Sequence, residues 1–189
     1  ENGSTISEFK YDSHKIFNGK PKLEGLPATY VEHENEAQTL EICLVDELTG
    51  LKAYLLYTAF ENMNAITRSV RFENTGNKAL TLLQASSVSV DFDRADFDFL
   101  HLSGAWARER HIERSPLRSG IQSIESRRGA SSHQHNPFIA LLDKNTDEDH
   151  GDIYGFSLVY SGNFLANVEV DQLKKTRVTM GINPFNFEW

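Results

Sequence analysis

Residues 39–78, TLEICLVDELTGLKAYLLYTAFENMNAITRSVRFENTGNK, decide the fold class. Three runs inside this stretch, 39–46, 51–60 and 65–74, are rich in β-branched and aromatic residues and tend to alternate, as half-buried strands do. In 65–74, Ile66, Arg68, Val70 and Phe72 fall on one face, and Thr67, Ser69, Arg71 and Glu73 on the other. Between the runs lie turn signals, ELTG (47–50), ENMN (61–64) and NTGNK (74–78), the last offering Asn74 and Gly76 for positive-φ positions.

The pattern continues outward from there. LTLLQASSVSVDF (80–92) reads as one long strand, and TRVTMGIN (176–183) as another. YGFSLVYSGNFLANVEVDQ (154–172) reads as a hairpin with Ser161, Gly162 and Asn163 at its turn. No capped segment of helical period reaches a convincing length. Short strands at regular spacing predict an antiparallel β-sandwich or barrel of about ten to twelve strands. No repeat, low-complexity tract or linker divides the chain, so residues 1–189 are expected to form a single domain.

Composition narrows the partners. The chain carries 27 acidic residues against 19 Lys plus Arg, a net charge of -8, which argues against nucleic acid as the main partner. Cys43 is the only cysteine, so no intrachain disulfide forms. No apolar run approaches the roughly 20 residues that cross a bilayer, and ENGSTISEF has neither part of a signal peptide. A cytoplasmic protein without a membrane partner is expected. Both ends, ENGST and the aromatic INPFNFEW, read as cut from a longer protein, since solvated tails are usually polar.

One compositional shift stands out. Residues 101–135 hold six of the ten arginines and four of the seven histidines, which marks a partner surface in an otherwise acidic chain. Within RRGASSHQHNPF (127–138), His133 and His135 would share one face if the segment were a strand. A metal site needs a third ligand, from Asp143, His111 or an acid of 91–98, and no second local motif supplies it, so no metal is expected. The acids of DFDRADFDF (91–99) suggest either paired carboxylates beside a sugar or a strand with one wet face, and nothing places one of them in an apolar pocket. Trp106, in SGAWARERH, is either part of a sugar-stacking surface with Arg108 and Arg110, or a core residue whose neighbouring arginines pair with Glu109 and Glu113. No phosphate loop, GxSxG elbow or CxxC motif is present.

Taken in order, KIFNGKPKLEGLPATY (15–30), ITRSVRFEN (66–74), LSGAWARERHIER (102–114), QSIESRRGASSHQHNPF (122–138), YGFSLVYSGNF (154–164) and INPFNFEW (182–189) resemble the N-terminal domain of bacterial α-galactosidases of glycoside hydrolase family thirty-six, over essentially the whole chain. The resemblance implies a large antiparallel β-supersandwich, galactose-mutarotase-like in fold. It implies a parent enzyme that removes terminal α-galactose from melibiose- or raffinose-type sugars with retention, using two aspartates on a (β/α)8 barrel C-terminal to this domain. No motif of that barrel occurs here, so no catalytic residue and no cofactor are assigned to this chain, and the fragment alone is expected to be inactive. The family's upstream Gly-Asp-aromatic-Arg stretch is also absent. The expected partners are the chain's own barrel, neighbouring subunits and, in the parent, a galactoside. Loops 103–114 and 127–138 are expected to form the docking surface and reach the active-site rim, through Trp106, Arg108, His133, Gln134, His135 and Asn136. The competing role for these residues is an internal network bracing two loops. Two other functions stay open: a free-standing galactoside-binding module, and a mutarotase-like enzyme using His133 or His135 with a carboxylate.

Overall fold

The computed structural model describes residues 5–131 and 133–185. Residues 1–4, Ser132 and residues 186–189, which include most of the aromatic end, lie outside the described residues. Two compact units divide the chain between Leu83 and Gln84. Among the described residues the only helical element is a 3-10 turn, Glu34–Glu36.

The first unit is an antiparallel meander in the order β1 (Lys10–Asn18), β2 (Ala37–Asp46), β3 (Leu51–Phe60) and β4 (Ala65–Asn74). The alternating runs of 39–60 bury Thr39, Cys43, Leu51, Ala53, Leu56 and Thr58. The two threonines share a hydroxyl hydrogen bond of 2.8 Å, and Thr39 also donates to the Gly19 carbonyl at 2.6 Å. Asp46, 4% exposed, closes β2 by accepting from the amides of Leu48, Thr49 and Glu8. Burial works against its charged form, but these three donors outweigh it and hold the carboxyl below the usual aspartate range. The positive-φ residue of this region is Gly50 (φ 74) and not Asn74 or Gly76. Gly76 matters by closeness, because a Cβ there would strike the Thr49 carbonyl.

The second unit is a sandwich of two four-stranded antiparallel sheets. One runs β10 (Ile153–Ser157), β9 (His135–Asp143), β6 (Phe97–Ala105), β7 (Arg108–Pro116); the other runs β5 (Ser86–Phe92), β12 (Thr176–Ile182), β11 (Phe164–Val170), β8 (Gly120–Glu125). Period-two burial of Phe164, Ala166, Val168 and Val170 on β11, with Val178 and Met180 on β12, faces Phe97, Phe99, Ile139 and Leu141 of the opposite sheet. The described residues thus hold twelve antiparallel strands, the all-β class expected.

Three expectations need correction. Residues 154–172 are not a hairpin: β10 pairs with β9, whereas β11 pairs with β8 and β12 in the other sheet. Ser161–Gly162–Asn163 therefore lies in a crossover between sheets, held where Asn163, 8% exposed, accepts from Gly129 N at 2.6 Å and Asn183 N at 3.1 Å. The run 80–92 is strand only from Ser86, because its partner β12 ends at Ile182 and the ladder stops with the Ser86–Gly181 pair. Finally, 103–114 is a β-hairpin and not a loop, since β6 and β7 pair from Asp98 with Pro116 up to Ala105 with Arg108.

Candidate functional site

The β6–β7 hairpin turns at Trp106 and Ala107. Gly104 makes the turn passable, because a Cβ there would run into the Arg108 carbonyl. Ala107 and Arg110 take left-handed backbone, at φ 62 and 61, near a register shift between Ser103 and Ala105. The Ala107 amide donates to the Glu109 carboxylate at 3.1 Å. This local geometry throws Trp106 outward, leaving it 82% exposed. The core-filling reading of Trp106 is excluded. Its companion, Arg108 and Arg110 paired to Glu109 and Glu113, also fails, because no ion pair forms there among the described residues.

The second half of the site is the segment entering β9. The Gly104 amide donates to the Gln134 carbonyl at 3.2 Å, and Ser103 lies opposite His135 across the ladder. Hairpin and segment 127–135 are thereby one structure. Ser126 Oγ donates to the Ala130 carbonyl, and Ser131 N to the Ser161 carbonyl, bracing the segment from below. Gln134 and His135 line a concavity of about 410 Å³ together with Ser123, Glu125, Arg127 and Arg128. Trp106 and Arg108 sit at the hairpin tip and are not among its lining residues. Asn136 is half-buried, and its Oδ1 has no partner among the described residues.

His133 and His135 are not alternating strand residues as supposed. His133 lies in a turn, and β9 begins only at His135. The imidazole beside His135 is His101, at a ring separation of 5.9 Å, on the face that also carries Ser103, Glu113 and His111 across the ladder. Among the described residues the only trio able to gather around a metal is Glu32, His33 and Glu36. There the Glu36 carboxylate already accepts from the amides of Glu32 and His33.

The acids of 91–99 find the plain role. Asp91 takes Arg177 in two hydrogen bonds of 2.7 and 2.9 Å, Asp93 pairs with Lys175, Asp96 with Arg94 and Asp98 with Arg114, while Phe97 and Phe99 are buried. The Arg177 hydrogen bonds hold the Asp91 carboxyl below the usual aspartate range.

Burial is the main force lowering both His101 and His135 below the usual imidazole range; the mutual repulsion with His135 adds to it at His101, and Arg128 adds to it at His135. Glu113 opposes the shift at His101, and a hydrogen bond to the Leu102 carbonyl opposes it at His135. A base with a depressed folded pKa binds its proton less readily than the unfolded chain does, so stability falls as pH drops below the unfolded value of about 6.5. Urea midpoints are therefore expected to decline from pH 7.5 to pH 5.5. A His101→Gln, His135→Gln double variant is expected to flatten that decline, and an unchanged slope would refute the assignment.

Comparison with known proteins meets this geometry at full length. All of residues 1–189 match the model of the glycosyl hydrolase family 36 N-terminal domain. The chain belongs to that family. It is 65% identical over 189 residues to alpha-galactosidase AgaA of Geobacillus stearothermophilus, covering 100% of this chain and 26% of that protein. It is 46% identical over 187 residues to alpha-galactosidase 1 of Pediococcus pentosaceus, covering 99% and 26%. The crystal structure of the family 36 enzyme AgaA superimposes with a TM-score of 0.98 at 64% identity, over 100% of this chain and 26% of that one. The alpha-galactosidase structure from Lactobacillus brevis gives 0.96 at 45%, over 100% and 25%. This family 36 domain has the supersandwich fold expected from the resemblance, and it spans about a quarter of the length of the relatives it matches. No helix among the described residues is long and apolar enough to cross a membrane.

Proposed function

We propose that this chain is the non-catalytic N-terminal domain of a retaining α-galactosidase acting on terminal α-galactosides of the melibiose and raffinose type. The observation that carries the reading is the full-length match to a quarter of proteins named alpha-galactosidases. A solved structure of an AgaA variant in complex with stachyose has the same likeness, TM-score 0.98, which favours an α-galactoside substrate. Every acid of 91–98 is engaged by a base, which supports placing the chemistry on a barrel elsewhere in the parent.

In this reading the β6–β7 hairpin docks on the barrel or on a neighbouring subunit and shapes the active-site rim. A Trp at 82% exposure beside Arg108, which has no ion pair among the described residues, has the make-up of an interface anchor. The isolated chain is expected to leave a p-nitrophenyl α-galactoside uncleaved, and turnover would overturn the assignment. In the parent enzyme, Trp106→Ala is expected to lower kcat/KM or weaken assembly about tenfold or more, the loss of one anchor of 1.4 kcal/mol or above. Unchanged kinetics and an unchanged oligomer in a folded variant would sink the docking role.

A further inference from the structure

The concavity beside His135 carries charge that the docking role does not use. Of its two guanidinium groups, Arg127 is committed: Nε binds the Glu125 carboxylate at 2.9 Å, and the group lies 4.8 Å over the Phe185 ring. Glu125 is committed in turn, since the same oxygen accepts from Asn183 Nδ2 at 3.0 Å. Arg128 has no acidic partner among the described residues, although it lies close enough to His135 to repel its proton. A local positive excess thus persists in a chain of net charge -8.

The remaining lining favours one ligand chemistry. Ser123 and the Gln134 amide offer neutral donors at the wall. No Phe, Tyr or Trp among the described residues lines the concavity, and the Phe185 ring is already covered by the Arg127 guanidinium. A pyranose would find no stacking platform, whereas an oxyanion would find an unbalanced arginine, donors and a protonatable ring.

We propose that this concavity is an oxyanion site, holding the phosphate or carboxylate group of a small molecule between Arg128 and His135. The volume of about 410 Å³ leaves room for an organic body attached to that group. The site stands apart from the glycosidase reading, because it rests on residues of this chain and on no property of the barrel.

Binding is linked to a proton. The charged and titratable groups around His135 are Arg128 from its own approach segment, His101, His111 and Glu113 from β6 and β7, and Glu125 at the end of β8 with its partner Arg127 just beyond. An anion beside Arg128 cancels the repulsion at His135 and favours the imidazolium, so affinity rises as pH falls toward 6.

The test is an NMR titration of the histidine ring protons in the 189-residue chain, with and without tens of millimolar inorganic phosphate at constant ionic strength. His135→Gln assigns the resonance. Phosphate is expected to raise the His135 midpoint by about one unit, and Arg128→Ala, at an exposed position, is expected to weaken that response about tenfold. A raised midpoint without phosphate that grows with protein concentration would identify the oxyanion as a carboxylate on a second copy. No shift with phosphate overturns the proposal. A shift that survives Arg128→Ala also overturns it, showing an adventitious ion only.

Discussion

Phe164→Ala is expected to lower the unfolding free energy by about 3–5 kcal/mol, the range for truncating a fully buried aromatic ring. Phe164 opens β11 at 0% exposure, and its carbonyl accepts from the Ser126 amide at 2.9 Å. The ring is part of the core shared by both sheets of the second unit, with Phe97, Phe99, Ile139, Leu141 and Met180. Its removal leaves a cavity that the branched and aromatic neighbours fill only in part. The loss also reaches the candidate site, because Ser126 begins the segment that carries Arg128. Urea denaturation measures the effect, with Ile121→Ala on β8, 65% exposed, as the neutral control within about 0.5 kcal/mol. A Phe164 loss no larger than that of the control would disprove the two-sheet core.

Asn183→Asp is expected to cost at least about 3 kcal/mol at neutral pH, the scale of an uncompensated buried charge. Asn183 is 2% exposed just beyond β12. Its Nδ2 lies within reach of Glu125 Oε2 at 3.0 Å, the Phe164 carbonyl at 3.3 Å and the Ser126 carbonyl at 3.4 Å, and its Oδ1 accepts from the Phe185 amide. The substitution changes hardly any volume. It removes both donors and sets a carboxylate against another carboxylate and two carbonyls. Burial and the Glu125 charge would raise the folded pKa of the introduced group, so the penalty develops above the unfolded value of about 3.9 and relaxes below it. A variant as stable as the parent at pH 7, or one no better off relative to the parent at pH 4, would contradict the network.

The sequence displays the strands whose partners lie next to them in the chain. Residues 51–60 and 65–74 have the predicted bounds because β2, β3 and β4 form a meander, where local alternation and turn residues agree. It misleads where the partner is distant. The Ser161–Gly162–Asn163 turn has hairpin chemistry, yet the alternation of β11 fits β8 and β12 equally well, and period alone does not distinguish sheets. The same limit governs the site. Arg and His enrichment points to residues 101–135, but His101 and Glu113 join His135 only through ladder register, and Trp106 differs from a core Trp only through the Gly104–Ala107 turn. The pairing of Arg127 with Glu125, which leaves Arg128 in charge of the concavity, was visible only once both side chains were placed.

The outermost strand of its sheet, β7, is exposed at every position from Arg108 to Pro116 and carries Arg108, Glu109, Arg110, Glu113 and Arg114. An open strand edge invites another chain to continue the ladder. Charges of both signs, the left-handed Arg110 and a terminal proline all resist that continuation. A partner proposed to meet this edge would be recognised by its side chains and not by a shared backbone ladder, and the same features protect the open edge from sheet-to-sheet aggregation.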